Sequence, residues 1–138
     1  SPEIISKNLA ELKSNKISKK NYNMLVLGAD SVIDLKGELI SKPGNRHEAL
    51  NILKKLNGKN HHLISSVCIS KNGSMIWNYT DKATLTMKNF SDKDLEIYLA
   101  KISDESLYAY NVYQIEGDKD TIMGLPIKKI KEYLNNYK

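Results

Sequence analysis

Val26-Leu27-Gly28-Ala29-Asp30-Ser31-Val32-Ile33-Asp34-Leu35-Lys36-Gly37-Glu38-Leu39-Ile40 is the stretch from which the rest of the chain can be placed. Met24 to Val32 is densely apolar, and its side chains are of the kind that pack on a pleated surface. Gly28-Ala29-Asp30 interrupts the run, so we expect a strand, a special corner at these three residues, and a second strand. Lys36-Gly37 has hairpin-turn chemistry and predicts a third strand after it.

Upstream, Ser1 and Pro2 suit the cap and first turn of a helix. Ile5, Leu9 and Leu12 recur at helical spacing to about residue 16. Downstream, Asn45 and Glu48 form a capping box. Ala49, Ile52, Leu53 and Leu56 supply a buried stripe, and Gly58 ends that helix. His61 to Ser70 and Met75 to Met87 then read as a long antiparallel hairpin turned at Lys71-Asn72-Gly73. Ser91 with Asp94 caps a helix carrying Leu95, Tyr98 and Leu99. A Tyr-rich strand is expected from about Tyr108 to Ile115, and Pro126 opens a terminal helix with Ile127, Ile130, Leu134 and Tyr137. These elements predict an α/β fold, a single mixed domain over residues 1–138 with a curved, largely antiparallel central sheet flanked by helices.

The 138 residues suffice for one core and little more. No apolar run approaches the ~20 residues that cross a bilayer, so no membrane association is expected. Ser1-Pro2-Glu3 lacks a basic segment followed by an apolar one, and the lone Cys68 can form neither an internal disulfide nor a zinc cluster. Both features predict a cytoplasmic protein, with Cys68 as a buried strand residue. The formal net charge of +5 attracts polyanions. All of its cations except Arg46 are lysines, whereas base reading favours Arg, so no specific nucleic acid is expected. Lys19-Lys20, Lys54-Lys55 and Lys128-Lys129 read as solvated faces.

Neither G-x-x-x-x-G-K nor G-x-G-x-x-G occurs, and there is no nucleophile elbow. Two features carry chemistry instead: Asp30 after a very apolar strand, and Lys42 in Ser41-Lys42-Pro43-Gly44 beyond the hairpin. A carboxylate at a sheet's mouth suits Mg²⁺, which takes few protein ligands and completes its shell with water and phosphate oxygens. An ammonium suits a phosphate. Together they could stabilise charge developed when water attacks phosphorus. The competing reading is structural: Asp30 as a turn acceptor, and Pro43-Gly44 as the centre of a type II turn.

Val26-Leu27-Gly28-Ala29-Asp30-Ser31-Val32, Gly37-Glu38-Leu39-Ile40-Ser41-Lys42-Pro43, Glu48-Ala49, Leu56-Asn57-Gly58-Lys59-Asn60-His61 and Gly124-Leu125-Pro126 resemble, in order, the motifs of the Maf family of nucleoside triphosphate pyrophosphatases. Leu9-Ala10-Glu11-Leu12-Lys13 is similar to that family's helix before the Asp strand. The resemblance implies cleavage of the α–β phosphoanhydride of a nucleoside triphosphate with Mg²⁺ or Mn²⁺, in a cytoplasmic homodimer that clears surplus or non-standard nucleotides. It implies a catalytic, metal-linked carboxylate at Asp30, a phosphate-contacting lysine at Lys42, and substrate contact at Ser31, where the family commonly has Thr. Tyr113-Gln114-Ile115-Glu116-Gly117 resembles the segment near the base pocket. Glu116 could accept hydrogen bonds from a guanine, which leans toward 7-methylguanosine triphosphate over dTTP or UTP; the alternative is a strand-end role for Glu116.

The family's Ser-rich, Arg-bearing loop and a further upstream carboxylate do not precede Ser1, so the chain is expected to be N-terminally incomplete and to turn over poorly alone. Residues 118–123 leave little room for a further family strand. The alternative is a catalytically impaired protein that binds a nucleotide or a partner, and a third reading is a Lys-rich RNA-associated module. His61 and His62, adjacent in a strand, face opposite sides and cannot share a metal. Trp77, Tyr79, Tyr108, Tyr110 and Tyr113 read as core and rim packing rather than a base-stacking platform.

Overall fold

The computed structural model describes residues 1–40, 42–101, 114–116 and 126–137. Helix α1 spans Pro2–Ser18, strand β1 Val26–Leu35 and strand β2 Glu38–Ile40. Helix α2 (Arg46–Leu56), strands β3 (Asn60–Lys71) and β4 (Ser74–Thr86), helix α3 (Asp92–Lys101), strand β5 (Gln114–Glu116) and helix α4 (Ile127–Asn136) follow. The strands form one sheet in the order β2-β1-β3-β4-β5, with every described pairing antiparallel. The mixed α/β fold expected from the sequence is therefore present. Among the described residues no helix is long and apolar enough to cross a membrane. Of the Tyr-rich strand expected from about Tyr108 to Ile115, Gln114 and Ile115 lie in β5, and Tyr108, Tyr110 and Tyr113 lie outside the described residues.

Local chemistry accounts for the ends of the elements. The Ser1 hydroxyl accepts from the Ile4 amide, Asn45 Oδ1 from the Glu48 amide at 2.9 Å, and Ser91 Oγ from the Asp94 amide at 3.1 Å. Glu48 reaches back as a capping box requires, but to the Gly44 amide at 2.6 Å, one residue before the cap. Lys36 and Gly37 have φ of 51° and 89°, and Asn72 and Gly73 have 52° and 85°. Two successive positive φ values twist a two-residue hairpin to match its strands. Asp34 Oδ1 secures the first turn by accepting from the Gly37 amide at 2.8 Å.

The special corner does not exist: β1 runs unbroken from Val26 to Leu35 and pairs residue for residue with β3, Gly28 opposite Cys68 and Asp30 opposite Ser66. Gly28 does not have positive φ, in contrast to Gly37, Gly58 and Gly73, so it serves closeness rather than bending. A Cβ there would lie 2.5 Å from the Ala10 carbonyl oxygen and 2.8 Å from the Ser14 amide nitrogen.

Alternation along β1 separates two layers. Gly28, Asp30 and their partners Cys68 and Ser66 face α1, whereas Ile33 and Leu35 face the apolar cluster of Ile40, Ala49, Leu53, Leu56, Met87, Leu95 and Leu99 between the sheet and helices α2 and α3. Tyr133 of α4 stacks on Trp77 of β4 at 4.8 Å, and Lys129 lies over Tyr79 at 5.8 Å. Trp77 and Tyr79 thus pack, as expected. The lysine pairs at 19–20, 54–55 and 128–129 are exposed.

The α1 layer is polar. Its buried face is Ser6, Ala10, Ser14 and Ser18, while Ile5, Leu9 and Leu12, the residues with helical apolar spacing, are 38%, 40% and 66% exposed. Ser6 donates to Ser66 Oγ at 2.6 Å, Ser14 and Ser70 share a bond of 2.8 Å, and the Gly73 amide donates to Ser18 Oγ at 2.9 Å. Small residues let the helix lie against the sheet, and buried hydroxyls are tolerated because each finds a partner.

Candidate active site

Among the described residues β2 pairs with β1 from Ile33 to Leu35, and none of them forms a strand beside the outer edge of β1 at Asp30, Ser31 and Val32. A cleft of about 480 Å³ opens along that edge. Asp30, Ser31 and Lys42 line it together with apolar side chains that include Ile5, Leu9 and Leu39. Asp30 and Ser31 are adjacent strand residues with opposite side-chain directions, and both border the cleft because it wraps that edge. Asp30 lies at mid-strand rather than at a strand's mouth, since β1 continues to Leu35. Lys42 reaches the same cleft because the tight Lys36-Gly37 turn folds β2 back beside β1 and the chain leaves β2 toward α2.

Sequence reasoning did not single out Lys13. Its ammonium lies 2.9 Å from Asp30 Oδ1 and 3.2 Å from the Ala29 carbonyl oxygen, to both of which it donates. Lys13 is one residue before the buried Ser14, on the flank of α1, and the apolar periodicity of the helix gives no sign of it. The pair is asymmetric: the lysine side chain is 56% exposed and the aspartate 11%. The Asp30 backbone is also held, because its carbonyl oxygen accepts from Ser6 Oγ at 3.3 Å. Asp30 is thus an oriented carboxylate, with Oδ1 engaged and Oδ2 without a hydrogen-bond partner among the described residues.

Ser31 Oγ and Ser65 Oγ share a bond of 2.9 Å. The type II turn considered for Pro43-Gly44 is not formed, because Gly44 lacks the positive φ that such a turn requires at its third residue. Ser41 lies outside the described residues. The Glu116 backbone, in strand β5, pairs with Thr84 of β4.

Among the described residues no three His, Cys, Asp or Glu side chains converge as metal ligands. A dedicated protein cage for a cation is therefore absent there. One carboxylate with a spare oxygen, beside an ammonium, instead suits a hard divalent ion that keeps most of its shell as water and phosphate oxygens. His61 is buried and its Nδ1 has no hydrogen-bond partner among the described residues, whereas His62 Nδ1 shares a 3.1 Å bond with Thr84. The two rings are thus segregated to opposite faces. Cys68 is buried, and loss of hydration pushes its thiol up to about 11, so it has the inertness of a structural cysteine.

The family model for Maf-like protein matches residues 1–137. A nucleoside triphosphate pyrophosphatase of Pelagibacter ubique is 69% identical, over 96% of this chain and 74% of its own length. A nucleoside triphosphate pyrophosphatase of Roseobacter denitrificans is 36% identical over 97% of this chain and 73% of its own length. A 7-methyl-GTP pyrophosphatase of Brucella abortus is 31% identical over 91% and 69%. Matched almost from end to end by that family model, and 69% identical to the Pelagibacter relative over nearly all of its own residues, this chain belongs to the Maf family.

Proposed function

We propose that this protein is a nucleoside triphosphate pyrophosphatase, adding water across the anhydride between the α and β phosphates to release a nucleoside monophosphate and pyrophosphate. The observation that carries the proposal is the shared cleft of Asp30, Ser31 and Lys42. The names of the Pelagibacter and Roseobacter relatives support the same chemistry. Lys42 binds the phosphate oxygens, and Ser31 offers them a hydroxyl. Asp30, held by Lys13 through one oxygen, presents the other to the reacting end of the substrate. Mg²⁺ or Mn²⁺ held by Asp30 would supply charge neutralisation on the phosphates when bound.

The preferred base leans toward 7-methylguanine over thymine or uracil. Its support is the acceptor chemistry of Glu116 and the activity named for the Brucella relative. The assembly is a homodimer and the compartment the cytoplasm, where surplus and modified nucleotides are cleared.

The deciding experiment incubates the protein and its Asp30→Asn variant with a panel of triphosphates and Mn²⁺, and measures pyrophosphate. Release by the parent and loss of about 100-fold or more in the folded variant is the expected outcome. No release with any triphosphate removes the enzymatic reading. The second reading, a nucleotide-binding protein of impaired turnover, is favoured by Asp30 being the one carboxylate lining the cleft among the described residues. It would appear as triphosphate binding without pyrophosphate.

A further inference from the structure

The contact between Lys13 and Asp30 depends on how near α1 lies to β1, and that distance is limited at Gly28. A side chain at this position would meet the Ala10 carbonyl oxygen at 2.5 Å, the Ser14 amide nitrogen at 2.8 Å and the Ser14 Cβ at 2.9 Å. The first two are backbone atoms inside a helix, so no rotamer change relieves the contact. The helix would have to move as a body, by about half an ångström to one ångström, to restore ordinary van der Waals separation.

The helix cannot slide along its axis instead. Ser6 is tied to Ser66, which in turn shares a 2.8 Å bond with Thr80. Ser14 is tied to Ser70, and Ser18 accepts from the Gly73 amide at the far end. These hydroxyl contacts span the whole helix and fix its register against β3 and the β3–β4 turn. Lift away from β1 is the motion left, and Lys13, next to Ser14, is carried with it. Its two acceptors, the Ala29 carbonyl and Asp30 Oδ1, directly follow Gly28 in the strand and would stay behind.

We propose that Gly28 is a positioning residue of the active site: its missing side chain seats α1 on β1 at the spacing that lets Lys13 hold the Asp30 carboxylate toward the cleft. This rests on the pyrophosphatase reading for its catalytic meaning and on geometry alone for its structural part. A displacement of about 1 Å in a group that orients a reacting one can cost on the order of 10²-fold in rate. Part of that is recovered here because the lysine stem is long and half exposed.

The experiment is a double-mutant cycle of Gly28→Ala and Lys13→Met, read in kcat, in KM and in stability toward urea. Gly28→Ala is expected to lower kcat about tenfold with KM changed by less than about twofold. In the Lys13→Met background the same substitution should lower kcat by less than about twofold, while its stability cost is the same in both backgrounds. An equal loss of kcat in both backgrounds overturns the proposal, because Gly28 would then act through general packing. Should Gly28→Ala not fold, Ser70→Val, which wedges the seam opposite Ser14, is judged by the same criterion. If the parent protein hydrolyses no triphosphate, the function reading fails separately. The positioning claim is then decided by the structure of whichever variant folds: a Lys13 to Asp30 separation beyond about 4 Å upholds it, and an unchanged ion pair overturns it.

Discussion

The Lys13 ammonium of α1 and the Asp30 carboxylate of β1 meet at 2.9 Å across the junction of helix and strand. Because Lys13 also donates to the Ala29 carbonyl, it fixes the carboxylate's direction as well as compensating its charge. Lys13→Met is expected to lower kcat by about 10- to 100-fold, and Lys13→Arg to restore part of it, since a guanidinium can make the same two donations. The lysine is largely solvated, so the change in melting temperature should be small. Unaltered kcat in Lys13→Met would reduce the ion pair to a surface ornament of the fold.

Lys42 differs from Lys13 in that its proposed partner is the phosphates rather than the carboxylate. A hydrogen bond to a charged group contributes roughly 1.5–3 kcal/mol. Lys42→Ala is therefore expected to raise the KM for triphosphate by about 10- to 100-fold with a smaller effect on kcat. Steady-state kinetics over a wide triphosphate range checks this, and a pure kcat defect would assign Lys42 to the reaction step instead.

His61 predicts an acid limb in stability. Burial, with a smaller contribution from the charge of His62, pushes its pKa below the ordinary 6.5, so the unfolded chain binds a proton where the folded one does not. Stability is then fully present above pH 6.5 and declines as pH falls below it toward the lowered value. His61→Leu also removes Nδ1, which has no hydrogen-bond partner among the described residues, and should flatten this decline when melting is followed from pH 7.5 to 5.0. Parallel curves for parent and variant would show that another group sets the acid limb.

The two leucine classes should respond oppositely to truncation. Leu53 is 1% exposed in the α2 core, and Leu53→Ala is expected to cost about 2–5 kcal/mol. Leu12, on the outer face of α1, should tolerate Leu12→Gln within about 0.5 kcal/mol. Urea denaturation of both variants tests which face of α1 is inside; a large loss for Leu12→Gln would contradict the serine-faced docking.

Caps, turns and the apolar stripe of α2 are legible in the chain because each depends on residues only a few positions apart. Ser1, Asn45 and Ser91 satisfy amides three residues on. Lys36-Gly37 and Asn72-Gly73 supply their own positive φ. The motif around Asp30 and Lys42 likewise identified the family, and the tight turn between them implied their nearness. The inner face of α1 was decided only by the tertiary structure. Helical periodicity pointed to Ile5, Leu9 and Leu12, yet the sheet offers α1 the hydroxyls of Ser66 and Ser70, roughly sixty positions away in sequence, and serines answer serines. The same close docking turned Gly28 from an expected corner into a point of contact and brought Lys13 onto Asp30. Pattern along one chain records how polar a residue is; which face meets which partner depends on the shape and hydrogen-bonding groups of a surface that exists only after β1 and β3 have paired.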